Sequence, residues 1–193
     1  VAQRGNWFLR WLMIGLMRLS GWRFTGADFP DARKFVLIVA PHTSNWDALY
    51  ALLGNLGLGL GARWVAKDSL FRWPVGGLLR RMGGIPVNRR QRTGFVDQMV
   101  ERFASDPNCI LIMAPEGTRR RTEGWKSGFY RIALAANVPL ALGCVDYARR
   151  EAGILAYVTL SGDPAADIAT IASHDAGHSG KRPELASPVR WLD

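Results

Sequence analysis

A chain of 193 residues is long enough for one domain with a packed core and too short for two ordinary ones. Its 48% hydrophobic and 21% charged residues form a globular mixture, which argues against disorder. The formal net charge of +9 points to an anionic partner: nucleic acid, an anionic membrane, or a phosphorylated or CoA-type small molecule.

The first element in chain order is an amphipathic helix. At the helical period, Phe8, Leu9, Leu12, Met13, Leu16, Met17 and Leu19 form a broad apolar arc, with Arg10 and Arg18 opposite and Trp7 and Trp11 beside them. Such a helix either lies in the plane of a bilayer surface or packs on its own core, and the basic charge favours the bilayer. Arg10 and Arg18 interrupt the run, so no uncharged apolar stretch is long enough to span a membrane. No small-residue cleavage site of the secretory kind follows it. The eight tryptophans hint in the same direction, since indole favours boundaries between apolar and wet surroundings.

A regular alternation follows. FVLIVA (35–40) reads as a buried strand, then a Pro-His turn and a helix from about Trp46 to Leu56. RWVAK (63–67) reads as a strand, PVGGLLRRM (74–82) as a helix stopped by Gly83-Gly84, IPV (85–87) as a strand, and Thr93–Ala104 as an amphipathic helix. CILIMA (109–114) is the strongest strand and leads into a charged loop, 115–126. A helix at Ser127–Ala136, a strand at 138–145 and a last strand at 154–160 complete the series, with loop from His174 onwards. Alternating strands and helices predict an α/β fold: one domain with a mostly parallel or mixed sheet flanked by helices, and its site at the carboxyl ends of the strands. Cys109 and Cys144 each lie in an apolar run without metal-ligand spacing, so they read as buried free thiols, and no metal site is expected.

Three turns carry the chemistry. Pro41-His42-Thr43-Ser44-Asn45-Trp46-Asp47 follows the first strong strand. Five steps along a helix turn about 140°, so His42 and Asp47 can meet only if His42 stays in the turn while Asp47 enters the helix, capped by Thr43 or Ser44. Asp47 then holds one ring nitrogen and leaves the other as a base; the plainer reading is a His and an Asp that merely cap a helix. Pro115-Glu116-Gly117-Thr118-Arg119 follows the second strong strand, and Gly83 to Arg89 brings out another arginine between them.

Together these blocks resemble the lysophospholipid acyltransferases of the glycerol-phosphate acyltransferase superfamily. His42 and Asp47 match that family's H-x4-D motif, Gly84 to Arg89 its second block, Pro115 to Arg119 its P-E-G-T-R block. Trp125–Phe129 and Val138–Leu140 resemble its later segments. The ordered set spans residues 41–140. Two positions depart: Pro86 stands where the family commonly has Phe, and Leu142 where it usually has a second proline, which bears on the acceptor and acyl pockets.

The resemblance implies transfer of a fatty acyl group from acyl-CoA or acyl-carrier protein to a hydroxyl of a lysophospholipid such as 1-acyl-glycerol-3-phosphate. In it His42 and Asp47 are catalytic, while Arg89, Glu116, Gly117, Thr118 and Arg119 bind substrate. Arg89 and Arg119 would grip the acceptor phosphate with planar forks, and Gly117 and Thr118 would offer donors. Glu116 would sit near the acceptor or order the arginines. No cofactor is needed beyond the acyl donor. The expected organisation is an interfacial helix at 1–24 before a catalytic domain at 25–193, peripheral or monotopic on the cytoplasmic face of the cell membrane. Arg80, Arg81, Arg120 and Arg121 are expected to attract anionic headgroups or face water, and Trp46 to be core or pocket wall; His174 and His178 receive no role.

A nucleic-acid-binding module would need aromatics interleaved with the basic residues, or a helix-turn-helix or zinc spacing; none is present and no nucleic-acid partner is expected. A serine hydrolase would need a G-x-S-x-G elbow around Ser44, which is lacking.

Overall fold

The computed structural model describes residues 7–26, 33–87 and 94–192. Arg89 and the side chain of Leu9 lie outside the described residues. The elements are helix α1 (Trp7–Leu19), strands β1 (Arg23–Gly26) and β2 (Phe35–Ala40), helix α2 (Asn45–Gly57) and strand β3 (Arg63–Lys67). A short 3-10 turn (Asp68–Phe71), helix α3 (Gly76–Arg81), strand β4 (Gly84–Val87), helix α4 (Phe95–Ser105) and strand β5 (Ile110–Met113) follow. Helix α5 (Gly128–Ala135), strands β6 (Leu140–Asp146) and β7 (Glu151–Val158), helix α6 (Pro164–Asp175) and a 3-10 turn at Pro183–Leu185 end the chain.

The strands form one seven-stranded sheet in the order β1-β7-β6-β2-β5-β3-β4. Strands β6, β2, β5, β3 and β4 run parallel to one another. Strand β7 runs against β6, with β1 parallel to β7. The two central strands are apolar throughout because both of their faces are covered. Along β2, Val36, Ile38 and Ala40 point into one core with Met99, Phe103, Trp125 and Phe129 of the α4–α5 side. Phe35 and Leu37 point the other way, toward Ala62, Ile112 and Ile154. Helices α1 and α2 pack on each other on that second side, and Met17 of α1 is fully buried there beside Trp22. Truncating a residue such as Phe129, 1% exposed, to Ala would cost about 3–5 kcal/mol.

Several expectations change here. The helical arc of residues 7–19 is split: Met17 is buried, whereas Trp7 and Trp11 stand exposed with Phe8, Leu12, Leu16 and Leu19. Arg10 turns toward the protein, its Nε donating to the Gly57 carbonyl at 3.2 Å. Strand β1, which pairs with β7, is an addition, being only four residues long and too short to carry a periodic signal. Helix α6 was not anticipated although Asp163 and Pro164 form a strong start signal; the Asp163 carboxylate accepts from the Ala165 and Ala166 N–H groups. His174 belongs to its last turn rather than to the loop. Pro86 is exposed on β4 at the sheet edge, where the missing N–H is tolerated. Leu142 is buried in the α4–α5 core, and Cys109 and Cys144 are both buried free thiols.

Candidate active site

Strands β2 and β5 are parallel neighbours, so the turns that follow them emerge side by side at the carboxyl edge of the sheet. The first holds His42 through Asp47. Ser44, in extended backbone conformation, is the N-cap of α2; its Oγ accepts from the Trp46 N–H, and Asp47, three residues on, accepts from the Ser44 N–H. This reciprocal capping box fixes where the helix starts, an effect worth about 0.5–2 kcal/mol. It also decides where Asp47 points. Asp47 Oδ2 accepts from the Thr43 N–H at 2.7 Å and the Ser44 N–H at 2.8 Å, and faces His42 Nδ1 at 3.2 Å. His42 is therefore held in the turn and Asp47 in the first helical turn, and capping and pairing are done by one carboxylate.

Asp47 has a further partner. The Tyr147 hydroxyl, just past β6, donates to Asp47 Oδ1 at 2.8 Å. Burial of Asp47, 1% exposed, would raise its pKa. The hydrogen bonds from His42, the Ser44 N–H and Tyr147 outweigh that and hold it below the usual carboxylate range. The phenol of Tyr147 is pushed up by burial and by the adjacent carboxylate, so it stays a donor. With Nδ1 turned to Asp47, His42 Nε2 is left as the acceptor nitrogen on a partly exposed ring. Ser44 Oγ is committed to the cap, which removes it as a candidate nucleophile.

The second turn has a different character. Glu116 is fully buried, and its Oε2 accepts from the His42 N–H at 3.1 Å, tying the two turns together. Its Oε1 has no hydrogen-bond partner among the described residues. Burial pushes this carboxyl up to about 8, against the opposing pull of the His42 and Ser187 N–H groups; the latter acts from outside bonding geometry. The ion pairs among the described residues do not include Glu116 with Arg119, which stands exposed on the turn. Gly117 adopts a left-handed φ of 64° and its N–H is taken by the Ala114 carbonyl at 3.1 Å, so that donor is already engaged. Thr118 Oγ1 accepts from the Arg120 N–H, leaving its own hydrogen to donate. Among the described residues there is no cluster of His, Cys, Asp or Glu able to hold a metal ion.

The C-terminal segment, expected to be plain loop, laces both turns. Gly180 sits so close to Thr43 that a Cβ would come within 2.6 Å of its Oγ1, and the Arg182 N–H donates to the same oxygen. Farther on, Ser187 Oγ accepts from the Thr122 N–H, and the Trp125 N–H donates to the Arg190 carbonyl. Trp46, expected in the core or a pocket wall, is half exposed with Lys181 Nζ 4.9 Å above its ring.

A mostly parallel α/β sheet thus carries a His–Asp pair at one strand end and a buried glutamate at the next, and the comparisons supply the class. The profile of the acyltransferase family matches residues 22–144, and the chain belongs to that family. The 1-acyl-sn-glycerol-3-phosphate acyltransferase of Limnanthes douglasii is 29% identical over 118 residues, 56% of this chain and 40% of that protein. The protein of the same name from Escherichia coli (strain K12) is 32% identical over 125 residues, 60% of this chain and 49% of that one. The matched part thus spans about half the length of these relatives, or less. The crystal structure of the 1-acyl-sn-glycerophosphate (LPA) acyltransferase PlsC from Thermotoga maritima superposes with a TM-score of 0.54 over 81% of this chain and 70% of that one, at 18% identity, a likeness of fold. The family match stops short of Tyr147 and of the lacing segment, so no motif marked either.

Proposed function

We propose that the chain transfers a fatty acyl group from a thioester, acyl-CoA or acyl-carrier protein, to a hydroxyl of a lysophospholipid such as 1-acyl-glycerol-3-phosphate. The observation that carries this reading is the buried Asp47 carboxylate on His42 Nδ1 at 3.2 Å, at the strand edge beside the second turn. An alcohol holds its proton too tightly to attack a thioester at neutral pH; an imidazole that takes the proton as the C–O bond forms lowers that barrier. His42 Nε2 accepts the acceptor's hydroxyl proton, and Asp47 stabilises the imidazolium. The tetrahedral intermediate then expels the thiolate, which takes the proton back from the imidazolium as free thiol. No covalent acyl-enzyme is required.

Tyr147 acts as a positioning residue, holding the Asp47 oxygen that His42 does not use. Glu116 works through the His42 N–H rather than by reaching the substrate, in keeping with its full burial. Arg119, exposed on the second turn, binds the acceptor phosphate with Arg89 as its partner. Among the described residues no helix is long and apolar enough to cross a membrane. The exposed face of α1 fits an interfacial helix on the cytoplasmic face of the cell membrane, ahead of the catalytic domain.

The test is release of thiol from acyl-CoA and from acyl-carrier protein, with and without a panel of lysophospholipids. Acceptor-dependent release with an acylated product supports the reading. Free fatty acid without an acceptor means hydrolysis and overturns it, and a preference for neutral acceptors reassigns the acceptor class.

A further inference from the structure

The segment between β3 and β4 is tied down at its base by a set of contacts around Phe71. Phe71 is buried and stacks on Trp64 with ring centroids 5.8 Å apart. Arg80 reaches back over the Phe71 ring and donates to the Phe71 carbonyl at 3.1 Å. Gly76 is pressed against the same carbonyl so closely that any Cβ would collide with it. With its base fixed in this way, the segment leaves Leu70, Val75 and Leu78 about half exposed and Trp73 93% exposed. Around them stand Lys67, Arg72, Arg80 and Arg81 against the single acid Asp68.

From this geometry we infer that the Leu70–Leu78 segment is a second membrane contact, separate from α1, which inserts its exposed apolar side chains into a bilayer bearing anionic headgroups. Three observations carry it. An exposed indole with apolar neighbours and a basic surround is the composition that partitions to a lipid interface. The four apolar side chains fall within one short segment, so they can enter a lipid surface together. And the segment starts at the carboxyl end of β3, which is parallel to β5 and so shares the edge that carries His42 and Glu116, before it returns to the start of β4. A bilayer touching this segment lies near the edge where a lipid acceptor has to arrive. The inference rests on the proposed lipid reading for its purpose, though not for its test.

The test uses a reporter at Gly77, where an added Cβ meets nothing within 4 Å. Cys109 and Cys144 are buried, so an environment-sensitive fluorophore on Gly77→Cys labels this segment alone. A matching label on Leu19→Cys, at an exposed position, reports α1. Vesicles of equal parts phosphatidylcholine and phosphatidylglycerol should shift the Gly77→Cys probe to the blue, and pure phosphatidylcholine should do so less. Adding Trp73→Ser should weaken the transition at that probe by roughly tenfold or more, the worth of one large apolar side chain, with circular dichroism unchanged. A probe that stays water-like at position 77 while the Leu19→Cys probe responds overturns the inference. So does a response to acidic acyl-carrier protein, or to self-association, in place of vesicles. No thioester or acceptor is present, so failure of the acyl-transfer reading leaves this result untouched.

Discussion

The two turns at the carboxyl edge are neighbours of opposite design. In the first, every oxygen of Asp47 is engaged: Oδ2 by His42 and two backbone N–H groups, Oδ1 by Tyr147. In the second, a fully buried carboxyl has one oxygen bonded to the His42 N–H and one without a partner among the described residues, while the arginine three residues on faces outward. In the proposed mechanism, a base held in one place and one tautomer calls for a fully satisfied carboxylate. The proposed phosphate-binding arginine, which would meet its ligand from solution, calls for exposure. Between them, Glu116 gives up the solvation of a charge to hold the two turns in register.

The largest break in this contrast comes from the first turn. His42→Ala should lower turnover roughly 10²–10⁴-fold with the fold intact, and Asp47→Asn should approach the same loss by allowing the wrong tautomer. Steady-state kinetics beside circular dichroism checks both, and near-normal turnover in a folded His42→Ala protein removes it as the base.

The next effect is on stability. The Glu116 carboxyl, raised from 4.5 to about 8 by burial, keeps its proton in the fold after the unfolded chain's glutamate has ionised. Its contribution is therefore full below pH 4.5 and is lost as pH rises to about 8. Glu116→Gln, which mimics the neutral acid, should flatten that slope and stabilise the protein by a few kcal/mol at the alkaline end, as read by urea unfolding across the range. A matching loss of acceptor affinity in the same variant would mean that Glu116 touches substrate after all.

Arg119→Ala should raise KM for a phosphate-bearing acceptor by roughly ten- to a hundredfold, the worth of a charged hydrogen bond or two, and leave a neutral acceptor almost unaffected. Lysine should rescue only in part because it lacks the planar fork. A change in acyl-donor affinity instead would move Arg119 to the other substrate.

The smallest effect sharpens the first turn. Tyr147→Phe keeps the ring against Trp22 and Tyr50 but removes one neutral donor, so turnover should fall only about fivefold. Relieved of that donor, the Asp47 charge acts more fully on the imidazolium, and the acid limb of the pH–rate profile should move to higher pH. A fall in turnover with an unmoved profile would leave Tyr147 as packing alone.

Much of the fold was legible because its signals are local. The apolar runs of β2 and β5, the turn chemistry at Gly83-Gly84 and the H-x4-D spacing each act within a few residues, and strand–helix alternation then limits the topology. The short β1 carried too few residues for a pattern, and α6 had a legible cap on a weakly apolar helix.

By itself, then, the sequence determined the kinds of elements, the turns that carry His42, Asp47 and Glu116, and the chemistry those residues can perform. Tertiary structure decided the partners beyond the His42–Asp47 pair. Tyr147 lies 100 residues from Asp47, Glu116 lies 74 from His42, and Arg182 lies 139 from Thr43. It also decided which apolar residues stay outside, splitting α1 between core and surface and leaving Trp73 in solvent. The reason is physical: periodicity records that a side chain needs a partner, and only the packing of distant segments determines which one it meets.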